Sequence, residues 1–93
     1  MIQSFADKDT ERLWNRERVR SIDSRIHSVA LRKLRQLGHA QTLDELRNPP
    51  ENRLEALKGD RRGQFSIRIN DQWRICFRWS AARPEEVEIV DDH

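Results

Sequence analysis

In the first half of the chain, apolar residues recur every three or four positions, which is the spacing of one buried helix face. The first such stretch predicts a helix over residues 8–18, with Asp7 as its N-cap and with Leu13 and Trp14 on its buried side. Residues 2–5, ahead of this helix, are predicted to form a short edge strand.

The second helix has the clearest pattern in the chain. Its buried face is predicted to carry Ile26, Val29, Ala30, Leu34 and Leu37. Asp23 is placed to cap its beginning, and Gly38 is expected to end it in a left-handed conformation. Thr42 and Glu45 have the spacing of a capping box, which predicts a short third helix that Pro49-Pro50 terminates.

From about residue 53 the pattern changes to strict alternation, which is typical of strands with one buried face. The alternating apolar residues are Phe65, Ile67, Ile69, Trp73, Ile75, Phe77 and Trp79. Turns are predicted at residues 70–72 and 81–84, and a last strand at residues 87–91. Helices followed by such a meander predict an α+β fold, with N-terminal helices packed on one face of a mainly antiparallel sheet. The length predicts that residues 1–93 form a single domain.

Basic side chains are concentrated in the predicted sheet. Residues 53–78 carry seven basic and three acidic side chains, whereas residues 79–93 carry one basic and five acidic side chains. Because the apolar set faces the helices, the alternate set faces solvent, and it includes Arg68, Arg74 and Arg78. Grouped guanidinium groups bind phosphate oxygens in pairs, so this face favours nucleic acid as a partner. A polar sheet face that is merely solvated accounts for the same residues.

Composition excludes several classes of protein and site. Cys76 is the single cysteine, so an internal disulfide and a cysteine-clustered metal site are both excluded. No apolar run approaches the ~20 residues of a membrane span. Residues 1–9 lack the basic and apolar regions of a signal peptide. We therefore expect a cytoplasmic protein that needs no metal ion and no other cofactor.

The remaining polar residues suit RNA cleavage by a ribose 2′-OH. That reaction needs a base for the hydroxyl proton, a cation for the charge on the phosphate, and an acid for the leaving 5′ oxygen. Lys58 lies in a basic turn before the strands, and the chain ends in Asp91, Asp92 and His93. The last strand should lie beside the arginine-bearing strands, so its end can bring an imidazole and a carboxylate to the basic face. A solvated turn and a solvated chain end are the alternative interpretation.

Two strings of residues and the C-terminus resemble one toxin family. The strings are Leu57-Lys58-Gly59-Asp60 and Asn70-Asp71-Gln72-Trp73-Arg74-Ile75, and the chain ends in Val90-Asp91-Asp92-His93. Together they resemble the HigB toxins, the host-inhibition or plasmid maintenance killer family of the RelE/ParE superfamily. The opening Met1-Ile2-Gln3-Ser4-Phe5 fits as well, so the resemblance covers essentially the whole chain.

This resemblance implies a RelE-like microbial-RNase fold and ribosome-dependent cleavage of translated mRNA in the A site. It also implies a HigA-like helix-turn-helix antitoxin as partner, with operator DNA bound only through that antitoxin. On the family pattern, the catalytic positions are Lys58, Arg74, Asp91 and His93. The residues expected to bind RNA beside them are Arg61, Arg68, Arg78 and Asp92.

Two positions depart from the best-known ribonucleases of this family. Those enzymes have His where this chain has Glu55, and Tyr where it has Asp92. A tyrosine would stack on a base, whereas an aspartate repels phosphate. The departures imply a weak or differently specific nuclease.

Three other functions fit parts of the pattern. A ParE-like gyrase inhibitor has the same fold, but Lys58 and the terminal His93 argue against it. A non-catalytic inhibitor that binds RNA or the ribosome would use the same arginines, and the loss of the family's His and Tyr favours it. An inert role within a larger complex is the third alternative.

Overall fold

Residues 1–91 are described by a computed structural model, in which helices pack on one four-stranded sheet. Helix α1 spans Lys8–Trp14 and helix α2 spans His27–His39. The strands are β1 (Glu55–Ala56), β2 (Phe65–Arg68), β3 (Trp73–Ser80) and β4 (Arg83–Asp91). Their order is β1-β2-β3-β4 with antiparallel neighbours, which confirms the predicted α+β class and the meander. None of the described helices is long and apolar enough to cross a membrane.

Helix α1 is shorter than predicted. It ends at Trp14, and Arg16 then takes a left-handed backbone conformation with φ of 64°. The residues that follow leave the helix but return Val19 and Ile22 to the core, where both are buried. Val19 and Ile22 are therefore buried by an irregular segment after α1, and helical spacing could not predict that segment.

Helix α2 differs from the prediction at both ends, because a 3₁₀ turn over Ser24–Ile26 precedes its start at His27. The Asp23 carboxylate accepts a hydrogen bond from the Arg25 amide at 2.9 Å and so caps a short 3₁₀ turn that leads into α2. The predicted stop at Gly38 was wrong, because this residue lies inside the helix. A Cβ at Gly38 would make ordinary contacts with the Trp14 ring at 3.5 Å and with Ile2 at 3.7 Å, so neither the backbone nor the packing requires glycine at this position.

The segment after α2 contains the predicted capping box. The Thr42 hydroxyl accepts from the Glu45 amide at 3.3 Å, and the Glu45 carboxylate accepts from the Thr42 amide at 2.9 Å. The element that it caps, Leu43–Arg47, is a 3₁₀ helix with Leu46 buried. A second 3₁₀ turn, Pro50–Asn52, connects it to β1.

The core lies between the helices and one face of the sheet. Helices α1 and α2 contact each other and β4. From the helices, the buried apolar side chains include Leu13, Ala30, Leu34 and Leu37. From the sheet they include Ile67, Ile75, Phe77, Val87 and Ile89. The alternating apolar set of β2 and β3 therefore faces the helices, as predicted.

Strand β4 begins earlier than predicted and carries the N-terminal segment on its outer edge. Ala81 and Ala82 form the whole turn after β3, with φ of 51° and 61°. The predicted edge strand is present only as a parallel bridge between Phe5 and Val87, supported by a hydrogen bond from the Gln3 amide to the Pro84 carbonyl at 2.8 Å. This segment protects the edge of the sheet that lies farthest from β1.

Candidate functional site

Two arginines face each other across the β2–β3 pair. Arg68 and Arg74 are directly paired in the antiparallel register. Their side chains are half-buried, with 29% and 30% of their surface exposed. Like charges placed opposite one another destabilise a sheet, typically by a few tenths of a kcal/mol. Each arginine has a carboxylate partner, Asp71 for Arg68 and Glu55 for Arg74, and the pair is a candidate anion-binding site.

A polar cavity of about 210 Å³ lies at this pair. The described residues that line it are Arg53, Glu55, Ser66, Arg68, Asn70, Asp71, Gln72, Trp73 and Arg74. Three guanidinium groups and two carboxylates therefore converge in a small volume. Such a lining can bind a phosphodiester through the cations and keep a proton-accepting group beside it.

Arg74, on β3, contacts one side chain of β1 and one of β2 at this cavity. Its Nη1 atom lies 3.4 Å from the Glu55 Oε1 atom and 3.4 Å from the Ser66 Oγ atom. Glu55 is brought here because it pairs with Ser66 in the β1–β2 register. Strand β1 has only two residues and was not predicted. From the sequence, Glu55 was only a departure from the family, whereas the structure places its carboxylate against a candidate catalytic arginine.

Arg68 is held by the turn that joins β2 to β3. Its Nη2 atom donates to the carboxylate of Asp71, which is exposed. The Asn70 side-chain oxygen accepts from the Gln72 and Trp73 amides at 2.8 Å each, which fixes the predicted turn. An exposed ion pair contributes little free energy, so a phosphate can compete with Asp71 for Arg68.

The centre of the arginine-bearing face is closed, and the prediction of a fully open face was wrong there. Ser66 and Cys76 on that face are 2% and 1% exposed. The Arg61 side chain reaches Glu88 on β4 at 2.7 Å and Gln64 at 3.0 Å, so it spans β2 and β3 above these residues. Arg61 therefore anchors the β1–β2 loop to the sheet, and this contact was not foreseen from its predicted role in RNA binding.

Arg78 and Lys58 are not among the described residues that line the cavity. Arg78 lies four residues along β3 from Arg74 and pairs with Glu86 at 3.0 Å. Lys58 is exposed in the β1–β2 loop, directly before a 3₁₀ turn. Both add positive charge near the arginine-bearing face, but the structure does not bring them to the Arg68–Arg74 pair.

Asp91 lies at the rim of the cavity rather than in it. Val90 is the residue that pairs with Arg74, and Asp91 pairs with Trp73, so the Asp91 side chain leaves β4 toward the opposite face. The Gln72 side-chain nitrogen donates to the Asp91 carboxylate at 3.1 Å, which links it to the cavity wall. The two remaining predicted residues, Asp92 and His93, lie outside the described residues.

A buried polar residue beside the site was also missed from the sequence. Lys33 is buried in α2 with 6% of its surface exposed, and its Nζ atom donates to the buried Asn52 side chain. Desolvation by burial lowers the pKa of the Lys33 ammonium, and the charges of Arg32 and Arg68 lower it further, while the Glu51 carboxylate partly opposes this shift. Its spacing from Ala30 and Leu37 on the apolar face of α2 was the signal that could have identified it.

Comparisons with known proteins agree with the resemblance in the sequence. The HigB model, described as a RelE-like toxin of a type II toxin–antitoxin system, matches residues 3–93. The chain is 42% identical over 80 residues to Toxin HigB-1 of Vibrio cholerae, covering 85% of this chain and 84% of that protein. It is also 34% identical over 58 residues to an uncharacterized protein of Haemophilus influenzae, covering 62% of this chain and 57% of that protein.

A solved structure gives an independent comparison of the fold. The YoeB/ParE toxin from Agrobacterium tumefaciens matches with a TM-score of 0.50 and covers 99% of this chain and 97% of its own. At 22% identity this likeness shows a common fold. The family model and the 42% identity to Toxin HigB-1 show the family as well as the fold. The chain belongs to the HigB family of RelE-like toxins of type II toxin–antitoxin systems.

Proposed function

We propose that this toxin is a ribosome-dependent endoribonuclease that cuts translated mRNA through attack of a ribose 2′-OH on the adjacent phosphate. The observation that carries the proposal is the Arg68–Arg74 pair in a polar cavity, with the Glu55 carboxylate 3.4 Å from Arg74. Family membership supports an endoribonuclease role in general. The geometry supports the Arg68–Arg74 pair as the proposed binding site of the scissile phosphate.

In this proposal the two arginines bind the non-bridging oxygens of the scissile phosphate. Guanidinium groups donate to phosphate oxygens in pairs and stabilise the negative charge that builds up during attack. Arg68 and Arg74 supply this positive charge from neighbouring strands, which supports the proposal of a metal-independent reaction. Lys58 and Arg78, at the margins of the same face, contribute to attraction of the RNA backbone.

Glu55 is the proposed base. When the phosphate replaces Glu55 as the partner of Arg74, the Glu55 carboxylate becomes free to accept the proton of the ribose 2′-OH. The 2′ oxygen then forms its bond to phosphorus while the bond to the 5′ oxygen breaks, and His93 is proposed to protonate that leaving oxygen. The products are a 2′,3′-cyclic phosphate and a 5′-OH end. Asp91, whose carboxylate accepts a hydrogen bond from Gln72 at the rim of the cavity, is proposed to assist this proton transfer.

The partners follow from the class of toxin. A toxin of a type II system has an antitoxin partner. We propose that this antitoxin is a HigA-like helix-turn-helix protein, and that the toxin meets operator DNA only through it. The other proposed partners are the ribosomal A site and the mRNA, which place the protein in the cytoplasm.

Controlled expression in bacteria tests the proposal. The chain is induced from a tight promoter beside Arg74→Ala and His93→Ala, and mRNA 5′ ends are mapped during growth arrest. New ends within translated codons are expected, and removal of Arg74 should reduce them by about 100-fold or more. Arg83→Ala is a matched control, because Arg83 is exposed on β4 and bonded to Gln3 at 3.0 Å, away from the cavity.

The outcomes separate the proposed nuclease from its alternatives. New ends in the parent and in Arg83→Ala, but not in Arg74→Ala and His93→Ala, would support the proposed site. Arrest without new ends, or arrest that both variants retain, would favour a gyrase-directed or purely binding mechanism. Inhibition of DNA replication before inhibition of translation would point specifically to the gyrase alternative.

A further inference from the structure

A second groove lies beside the candidate site, between α2 and the end of β2. It has a volume of about 570 Å³, and Arg68 and Asn70 line both this groove and the cavity of the candidate site. We call it the α2 groove. Its other walls include Arg32 and Lys33 from α2, Glu51, and the apolar side chains of Pro49 and Ile69. A ligand that fills the cavity can therefore continue past Arg68 into this groove.

Lys33 is an unusual wall residue because it is a buried cation without a paired carboxylate. Its Nζ atom donates to the neutral side chain of Asn52, and within residues 1–91 it forms no salt bridge. Asn52 is itself held by the Leu46 carbonyl at 3.0 Å and the Asn48 carbonyl at 3.2 Å. The amide that contacts Lys33 is thus fixed in place, which orients the ammonium group.

The charge balance of the α2 groove favours an anionic ligand. Arg32, Lys33 and Arg68 supply three positive charges and Glu51 one negative charge, and the Arg68 charge is shared with Asp71 outside the groove. Burial lowers the pKa of the Lys33 ammonium, and Glu51 stabilises its charge only from a distance, since no carboxylate of residues 1–91 pairs with it directly. A phosphate in the groove would provide a direct counterion and form charge-assisted hydrogen bonds in a partly dry setting.

We propose that the α2 groove binds a neighbouring nucleotide of the same RNA strand, with Lys33 and Arg32 holding its phosphate. Pro49 and Ile69 offer an apolar surface against which its sugar or base can pack. The inference rests on the proposed function for its choice of RNA as ligand. It adds residues of α2 to a site that otherwise consists of the sheet and its turns.

Oligonucleotides of two lengths test this subsite. NMR titrations of the ¹⁵N-labelled chain would use 2′-O-methyl oligoadenylates of two and four nucleotides, which lack the attacking hydroxyl and stay intact. The tetranucleotide is expected to bind about tenfold more tightly than the dinucleotide and to shift α2 amides as well as those of β2 and β3. Lys33→Met and Arg32→Gln should each remove most of that difference.

A matched control lies on the same helix. Arg35 is exposed on α2 but lines a different cavity, together with Trp14 and Gly38, so Arg35→Gln should leave both affinities unchanged. If Lys33→Met fails to fold in a thermal-unfolding check, Arg32→Gln decides the question, because Arg32 is exposed.

The subsite proposal is overturned if the gain with length persists in the folded variants, if the α2 amides do not shift, or if neither oligonucleotide binds. These failures are distinct from failure of the nuclease proposal. Lys33-dependent binding without new mRNA ends in cells would retain the α2 groove and reject the nuclease. New mRNA ends together with a gain in affinity that does not depend on Lys33 would retain the nuclease and reject the α2 groove.

Discussion

Glu55 and Arg74 illustrate how much of the candidate site depends on single side chains. The two residues are 19 positions apart in the sequence and 3.4 Å apart in the structure. An ion pair at this exposure contributes little to stability. Its importance is chemical, since it places a carboxylate next to the proposed phosphate-binding group.

Glu55→Gln is expected to lower the rate of mRNA cleavage by about 100-fold or more, because an amide cannot accept the 2′-OH proton. The measurement is primer extension on mRNA from a reconstituted translation reaction. Glu86→Gln is the matched control, since it removes a carboxylate that pairs with Arg78 outside the cavity. That variant should stay within about threefold of the parent. Equal losses in the two variants would contradict a role for Glu55 as base.

Asp23 gives a prediction about pH. Hydrogen bonds from the Arg25 side chain and backbone lower the pKa of Asp23 from its ordinary value of 3.8 to about 2. The carboxylate therefore contributes its full stabilisation above about pH 4 and loses it as the pH falls through about 2. Asp23→Asn should lower the Tm at pH 6, and the difference from the parent should shrink toward pH 2. Circular dichroism melts at pH 6, 4 and 2 would test this, and a constant difference would refute it.

The secondary-structure elements differ in how well they could be predicted. Helix α2 and strands β2 and β3 follow regular apolar spacing, and the structure confirms them. Strand β1 has two exposed residues, so it offers no periodic signal. Gly38 was misread as a helix stop because glycine is common just after helix ends, whereas here it lies within the last turn of α2, next to Trp14.

Two glycines give opposite predictions. Gly38→Ala should stabilise the fold by about 0.5–1 kcal/mol, because alanine is the better helix former and its Cβ would make an ordinary 3.5 Å contact with Trp14. Gly63→Ala should destabilise it, because Gly63 has φ of 92° and its Cβ would lie 2.8 Å from an Arg78 nitrogen. Urea unfolding of both variants would measure the changes. Changes of the same sign would contradict either the ordinary contact expected at Gly38 or the steric conflict expected at Gly63.

The whole molecule depends on one cluster of buried apolar residues shared by the helices and the sheet. In a chain of 93 residues such a core provides only modest net stability, on the order of 5 kcal/mol. The antitoxin partner implied by the family would add to this by binding the folded state alone. The site itself lies on the other face of the sheet, so changes there can be separated from changes in the core.

Leu34→Ala is expected to destabilise the protein by about 2–5 kcal/mol, because Leu34 is fully buried in α2 and its removal leaves a cavity. Leu31→Ala, one turn earlier on the same helix and only half-buried, should have a clearly smaller effect. Urea unfolding with and without the antitoxin would show both values and the extent to which the partner restores stability. Equal effects in the two variants would contradict the described burial.

The fold class, the meander, the family and the identity of Arg68 and Arg74 as candidate phosphate ligands were all accessible from the chain alone. Apolar periodicity and turn residues are local properties, and alternation along a strand already states which side chains share a face. Three features required the folded arrangement: Glu55 against Arg74, Arg61 bonded to Glu88 27 residues away, and Lys33 beside Arg68 in the α2 groove. Each depends on strand register or on helix packing, which are set by contacts between distant segments. Local spacing indicates that Lys33 lies on the apolar face of α2, but it does not indicate that Lys33 lies beside Arg68.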